Sequence, residues 1–259
     1  MKKMIMAMLV AVIGLAGHPL LSEAKDWYFK PAKNNQPATT EPEYEMLLNK
    51  YNGVYIGDTS KKDIYFTFDN GYEAGYTAGI LDTLKKEKVP ATFFITGHYI
   101  TDQPELVKRM VREGHIIGNH SWGHPDLSAI SDEKYRQELQ KLKDAYTKLT
   151  GSSKMLYLRP PRGTFSERSL KLAKEQGYIS VFWSAAYKDW VRDEQHGAEY
   201  AYQHIMRRMH PGAILLLHTV SRDNTEALPR VIHDLKKQGY HFRSLDDLMA
   251  EKGVSPKVR

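Results

Sequence analysis

From Asp63 onward the chain alternates short apolar runs, rich in β-branched and aromatic residues, with longer segments whose apolar positions recur every three or four residues. Such alternation predicts strands and helices in turn. Strands are predicted at 63–68, 90–95, 115–119, 155–159, 179–184, 213–217 and 240–243. Helices are predicted at 75–87, 104–113, 132–150, 167–176, 197–209 and 224–238, with a closing helix from 245. Ser131 is a candidate N-cap for the third of these and Gly151 its stop. Seven strand candidates separated by helices favour an α/β fold, a parallel sheet curled into a distorted and incomplete (β/α) barrel. No internal repeat is visible.

The chain before residue 61 has a different character. Lys2 and Lys3 precede an uncharged apolar stretch, Met4 to Gly17, and Ser22-Glu23-Ala24 ends in a small residue. This reads as an export signal cleaved after Ala24. A retained anchor is the alternative, but the run is short of the ~20 residues that span a bilayer. Residues 25–60 form an extension: a polar connection containing Asn34, Asn35, Gln36, Pro37 and Pro42, then one short helix over Glu43 to Tyr51. No chemistry is assigned to it. The expected layout is a signal at 1–24, the extension at 25–60, a catalytic domain at 61–250 and a tail at 251–259.

With 259 residues, 41% of them hydrophobic, the chain suits one domain with a substantial core. Its formal charge is +6, and removing residues 1–24 leaves 35 basic against 30 acidic residues. No basic cluster is interleaved with aromatics, which argues against a nucleic-acid partner. The absence of cysteine excludes disulfides, thiolate metal ligands and a cysteine nucleophile. A monomer without a stable protein partner is expected.

The chemistry-bearing side chains fall where predicted strands end. Asp69 follows the run from Ile64, His120 follows Ile116 to Asn119, Arg159 follows Met155 to Leu158, Asp189 lies past Ser184, and His218 follows Leu217. Loops leaving the C-terminal strand ends of such barrels converge on one mouth, so these residues are expected to share one active site. Taken alone, Asp69 could simply start the turn before Gly71. His120 and His124 stand four residues apart, which puts both rings on one face if the loop takes a helical turn and suits one divalent cation. Two solvated loop histidines are the alternative. No Gly-x-Ser-x-Gly elbow is present. Trp122, Trp183 and Trp190 could line a sugar site or belong to the core. His98 could face the mouth, His115 reads as a core residue at a strand start, and the lysines of the helices read as solvated faces.

Five segments carry a family resemblance: Thr67-Phe68-Asp69-Asn70-Gly71, His120-Ser121-Trp122-Gly123-His124, Leu158-Arg159-Pro160-Pro161-Arg162-Gly163, Asp189-Trp190 and Leu216-Leu217-His218. In this order they resemble the motifs of the polysaccharide deacetylases of the NodB homology type, carbohydrate esterase family 4, over about residues 61–250. Tyr72-Glu73, Arg162 and the stretch Leu217 to Asn224 make the chain most similar to the PdaA-type N-acetylmuramic acid deacetylases of spore-forming bacilli. The resemblance implies metal-assisted hydrolysis of an N-acetyl group on peptidoglycan glycan strands. Removal of stem peptides by an amidase would come first, and the muramic δ-lactam of spore cortex would follow. It implies His120, His124 and Asn70 as ligands of a divalent cation, zinc being the expected one. Asp69 would be the general base, His218 the general acid, Arg159 the holder of Asp69 and Asp189 the partner that fixes the tautomer of His218. Arg162, Trp190 and Tyr72 would meet the substrate, and the backbone N–H near Arg162 would assist the oxyanion.

Three positions depart from the general family. Asn70 stands where most relatives have a second aspartate, Ala186 where many have the first aspartate of an Asp-x-x-Asp-Trp motif, and Arg162 where an aromatic residue is usual. A neutral amide at position 70 weakens the case for a metal. Deacetylation of chitin-like or N-acetylglucosamine polymers is the alternative activity. A glycoside hydrolase using Asp69 and Asp189 as paired carboxylates would leave His120 and His124 without a task. A lapsed wall-binding module has only Asn70 to suggest it.

Overall fold

The computed structural model describes residues 23–33 and 36–254, so nearly all of the expected signal and most of the expected tail lie outside the described residues. The chain begins with three two-residue strands, β1 (Lys25–Asp26), β2 (Phe29–Lys30) and β3 (Thr39–Thr40), followed by α1 (Pro42–Lys50). Then come β4 (Asp63–Asn70), α2 (Thr77–Glu87), β5 (Ala91–Ile95), α3 (Gly97–Asp102), α4 (Pro104–Arg112), β6 (Ile116–Asn119) and α5 (Asp132–Thr150). β7 (Tyr157–Leu158), β8 (Thr164–Phe165), α6 (Glu167–Glu175), β9 (Ile179–Ser180), α7 (Ala198–Met206), β10 (Ile214–His218), α8 (Arg222–Lys237), β11 (His241–Phe242) and α9 (Leu245–Glu251) complete it.

The main sheet runs β10-β4-β5-β6-β7-β9, with β11 also on β4, and every pairing in it is parallel. Its register aligns the strand ends. His218 lies opposite Asp69, Asn70 opposite Ile95, Ile95 opposite Asn119, and Asn119 opposite Leu158. Side chains that follow these ends therefore gather on one rim, as the strand-end pattern predicts.

β4 pairs with three strands, β10, β5 and β11, and is buried along its whole length. Alternation along the strand sends Ile64, Phe66 and Phe68 into the outer core beneath the helices, and Tyr65 into an inner core with Phe94, Tyr157, Val181 and Ile214. Leu245, Leu248 and Met249 of α9 join this inner core. The same alternation places Thr67 and Asp69 on the inner side. Helix limits follow local chemistry: Ser131 accepts a bond from Lys134 N at the start of α5, and Gly151 ends it in the left-handed region at φ 75°.

The seam between β9 and β10 departs from the sequence expectation. A strand over 179–184 was expected, but regular pairing stops at Ser180 and only Ala185 then bridges Leu215. The extension fills the gap, with Val54 bridging Val181 and Ile56 bridging Ala213. It also builds its own apolar cluster, in which Trp27, Leu47, Leu48 and Tyr55 pack with Phe165 and Phe182. Strands of two residues carry no readable period, so β1 to β3 and β8 were not predicted, nor was the single-turn-scale α3.

Gly118 of β6 lies opposite Phe94, and a Cβ at position 118 would come within 2.4 Å of the Phe94 ring. Gly118→Ala is expected to destabilise the fold by about 1–3 kcal/mol through overpacking. Denaturant midpoints measure this, and an unchanged midpoint would mean that the ring yields freely.

Candidate active site

Arg159 is the hub of the rim. It is fully buried, and its Nη1 donates to Asp69 Oδ1 at 2.8 Å, Nη2 to Thr67 Oγ1 at 2.8 Å and Nε to the Val181 carbonyl at 3.2 Å. The guanidinium lies over the Phe94 ring, 4.2 Å from its centroid. The Thr67 hydroxyl in turn donates to the Leu215 carbonyl at 2.7 Å, which ties this cluster to β10. Burial alone would push the Asp69 carboxyl up, but Arg159, with smaller contributions from His120 and His218, holds it below its ordinary value of 3.8. Asp69 is thus an anion aimed at the mouth.

The histidine pair comes together by a route different from the expected helical turn. Ser121 and His124 both sit at positive φ, 65° and 56°, and the loop between them is irregular. Ser121 N–H donates to Asn119 Oδ1, His124 N–H to Ser121 Oγ and Gly123 N–H to the buried Glu138 carboxylate. The two rings meet edge to face with centroids 4.8 Å apart. His120 Nδ1 lies 2.8 Å from the Arg159 carbonyl, an acceptor, so it carries the proton and leaves Nε2, 3.5 Å from Asp69 Oδ2, with its lone pair free. Burial lowers the pKa of His120 and brings His124 down to about 4, so both rings are neutral at pH 7.

On the other side of Asp69, His218 Nδ1 lies 2.7 Å from Asp189 Oδ1, and its backbone N–H donates to Oδ2 at 2.8 Å. Burial would lower the pKa of His218, but the adjacent Asp189 charge and hydrogen bond outweigh it and raise the pKa above 6.5. Asp189 is itself held in place by its neighbours. Asn224 Nδ2 donates to its Oδ2 at 2.6 Å, and the Tyr187 hydroxyl donates to Asn224 Oδ1. With its side chain wholly buried in this network, Asp189 is unavailable as a second carboxylate for glycoside hydrolysis.

These groups open into a cleft of about 820 Å³, whose walls also include Tyr72, His98, Trp122, Arg162, Trp183 and Trp190. Tyr72 and Trp190 are exposed there, and Trp190 stands 5.7 Å from the His218 ring. Arg162 projects from a left-handed turn at φ 60°. Arg159 and Asp189 stand behind Asp69 and His218 and not on the cleft wall, and the structure keeps Asn70 off that wall as well. Asn70 is fully buried, its Nδ2 donates to Thr219 Oγ1 at 2.8 Å, and its Oδ1 has no hydrogen-bond partner. His115 packs edge-on against Phe93, with burial lowering its pKa to about 4, and lies outside the cleft.

The polysaccharide deacetylase family model matches residues 56–181. The peptidoglycan-N-acetylmuramic acid deacetylase PdaA of Bacillus subtilis is 53% identical over 247 residues, 93% of this chain and 94% of that protein. The chain belongs to the polysaccharide deacetylase family. The solved structure of Bacillus subtilis PdaA, a family 4 carbohydrate esterase, matches with a TM-score of 0.87 and 54% identity, over 89% of this chain and 98% of that one. A family 4 carbohydrate esterase from Bacillus anthracis matches with a TM-score of 0.75 and 52% identity, over 88% and 97%. A peptidoglycan-N-acetylglucosamine deacetylase of Bacillus cereus is 33% identical over 78% of this chain and 73% of its own length.

For a deacetylase, the donor set at the rim fits a cation in part. Two neutral imidazoles stand beside one carboxylate, a nitrogen-rich arrangement that suits zinc. Among the described residues no group of three or more histidines or carboxylates forms a complete cage. The parts of this deacetylase that sequence reasoning missed are the supports: Thr67, Asn119, Glu138, Tyr187 and Asn224. Each is a polar residue buried or half-buried in a strand, helix or loop, and only the fold reveals its partner.

Asp189→Asn removes the negative charge that raises the pKa of His218. The alkaline limb of the pH profile, where His218 loses its proton, is then expected to move to lower pH. Measurement of kcat/KM against pH checks this, and an unmoved limb would detach Asp189 from the titration of His218.

Proposed function

We propose that this deacetylase removes the N-acetyl group from N-acetylmuramic acid residues of peptidoglycan strands whose stem peptides an amidase has already removed. The observation that carries the reading is the pairing of a base and an acid across one cleft. Arg159 beside Asp69 holds its carboxyl below the usual range, and Asp189, hydrogen-bonded to His218 Nδ1 at 2.7 Å, raises the pKa of the imidazole. A base and an acid so poised are what hydrolysis of an unreactive acetamide requires.

Water attacks the acetamide carbon while Asp69 takes its proton. His218 then gives its proton to the nitrogen as the C–N bond breaks, leaving acetate and a free amino sugar. His120 and His124 would hold a divalent cation, with zinc favoured by their imidazole nitrogens. When bound, that cation polarises the acetamide carbonyl and eases deprotonation of water. The backbone N–H of the Arg162 turn serves as a further donor to the developing oxyanion. Tyr72 and Trp190 offer ring faces to the apolar faces of the sugars.

Arg162 gives the reading its substrate. A muramic residue without its peptide carries a free lactyl carboxylate, and a guanidinium binds such a group through two parallel hydrogen bonds. The product amine then shares one sugar with that carboxylate, as formation of a δ-lactam in spore cortex requires. Action on peptidoglycan calls for export across the cytoplasmic membrane, to the wall or the forespore envelope.

Asp69→Asn and His218→Ala are each expected to leave a folded protein with activity lower by about 10²- to 10⁴-fold. Unfolding of both variants would instead make the two residues structural. The joint substitution of His120 and His124 by alanine should abolish both cation binding and activity, and full activity would remove the metal. Asn70→Asp is expected to tighten cation binding in a calorimetric titration, because a second carboxylate beside Asp69 adds Coulomb attraction. Equal or weaker affinity would confine position 70 to its contact with Thr219.

Arg162→Gln is expected to lose about 1.5–3 kcal/mol of transition-state binding on peptide-free muramic glycans, with little change on chitin oligomers, which lack the lactyl carboxylate. Comparison of kcat/KM on the two substrates checks it. An equal loss on both would place Arg162 in support of the catalytic groups.

A further inference from the structure

The turn that presents Arg162 is built from two consecutive residues in the left-handed region, Arg162 at φ 60° and Gly163 at φ 74°. A side chain with a Cβ resists that conformation, so such a turn persists where its surroundings over-determine it. The surroundings come from the N-terminal extension. β1 pairs antiparallel with β8, Lys25 opposite Phe165 and Asp26 opposite Thr164, directly after the turn. Trp27 N–H donates to the Gly163 carbonyl at 3.0 Å, and its indole Nε1–H donates to the Trp183 carbonyl at 3.0 Å.

The approach is too close for any side chain at position 163. A Cβ there would sit 2.7 Å from Trp183 Cη2 and 3.0 Å from Trp27 Cβ. Trp27 is itself fixed from behind, its ring centroid 4.5 Å from that of Phe182 and 5.3 Å from that of Tyr55. It is buried and lines no part of the cleft, whereas Arg162, Gly163 and Trp183 all do.

We infer that Trp27 and the strand before it form a specificity clamp, which holds the Arg162 turn in the pose where its guanidinium meets the carboxylate of the substrate. The clamp rests on the proposed reading of Arg162 as the carboxylate-binding residue. Trp27 is a positioning residue that acts through the turn, with no contact to the sugar. The extension is thereby part of substrate selection as well as of the apolar cluster.

The test uses the mature chain with Trp27→Phe, which keeps a ring but removes the indole donor, and Trp27→Leu. Thermal melts identify which variants are folded at the assay temperature, and the milder Trp27→Phe covers the case in which Trp27→Leu is not. In a folded variant, tryptic cleavage of the Arg162–Gly163 bond is expected to quicken by about tenfold, because a loosened turn opens more often. KM for peptide-free muramic glycans is expected to rise about three- to tenfold, with a smaller fall in kcat because the same turn carries the Arg162 N–H that faces the oxyanion. In the Arg162→Gln background, Trp27→Phe should leave KM within about twofold of that of Arg162→Gln alone, since coupled residues act non-additively. Unchanged cleavage with unchanged KM overturns the clamp, as does a fall in kcat at constant KM or a KM effect that multiplies undiminished in the double variant. If Arg162→Gln alone leaves KM unchanged, the carboxylate reading fails, and the clamp is then decided by the cleavage rate alone.

Discussion

A guanidinium with no access to water has to be satisfied entirely by protein, and that constraint organises this molecule around Arg159. Its donors reach three partners on two segments, Asp69 and Thr67 on β4 and Val181 beyond β9, while its own carbonyl fixes the tautomer of His120. Breaking such a buried pair by removing one partner typically costs about 3–5 kcal/mol, because the remaining charge is stranded. The same contacts that keep the barrel mouth folded therefore keep Asp69 ionised. Stability and chemistry are joined in one side chain.

Around this hub the rim is divided electrostatically. Neutral imidazoles stand on the β6 side, an anion at the centre and an imidazole of raised pKa on the β10 side. The division follows from what each group is buried against. His120 faces a carbonyl, His124 a second neutral ring, and His218 a carboxylate that Asn224 keeps oriented. One residue type thus serves two tasks in a single cleft through second partners alone.

Much of this was legible in the sequence. The period of apolar residues marked the helices and the longer strands of the barrel, and the strand-end pattern marked Asp69, His120, Arg159, Asp189 and His218, because both signals are local. What escaped depends on contacts between distant segments. The seam beyond Ser180 is filled by Val54 and Ile56, which have no periodic relation to it. The His120 to His124 loop closes through Asn119 and Glu138 and not through helical geometry, so spacing gave the right partners for the wrong reason. Asn70 turns toward Thr219, a residue 149 positions later, which no motif could reveal. Trp27 reaches Trp183 across 156 positions.

The opposition of Gly118 and Phe94 limits how the interior of this barrel can drift over generations. Ordinary cores tolerate exchanges of volume between neighbours, a larger residue here offset by a smaller one there. In this barrel the obvious compensation for bulk at position 118 is a smaller side chain at 94, and that would take away the ring on which Arg159 rests. The pair is therefore closed to the usual trade. A glycine with no chemical group of its own inherits the restraint of the Asp69 carboxylate, reached through Phe94 and Arg159.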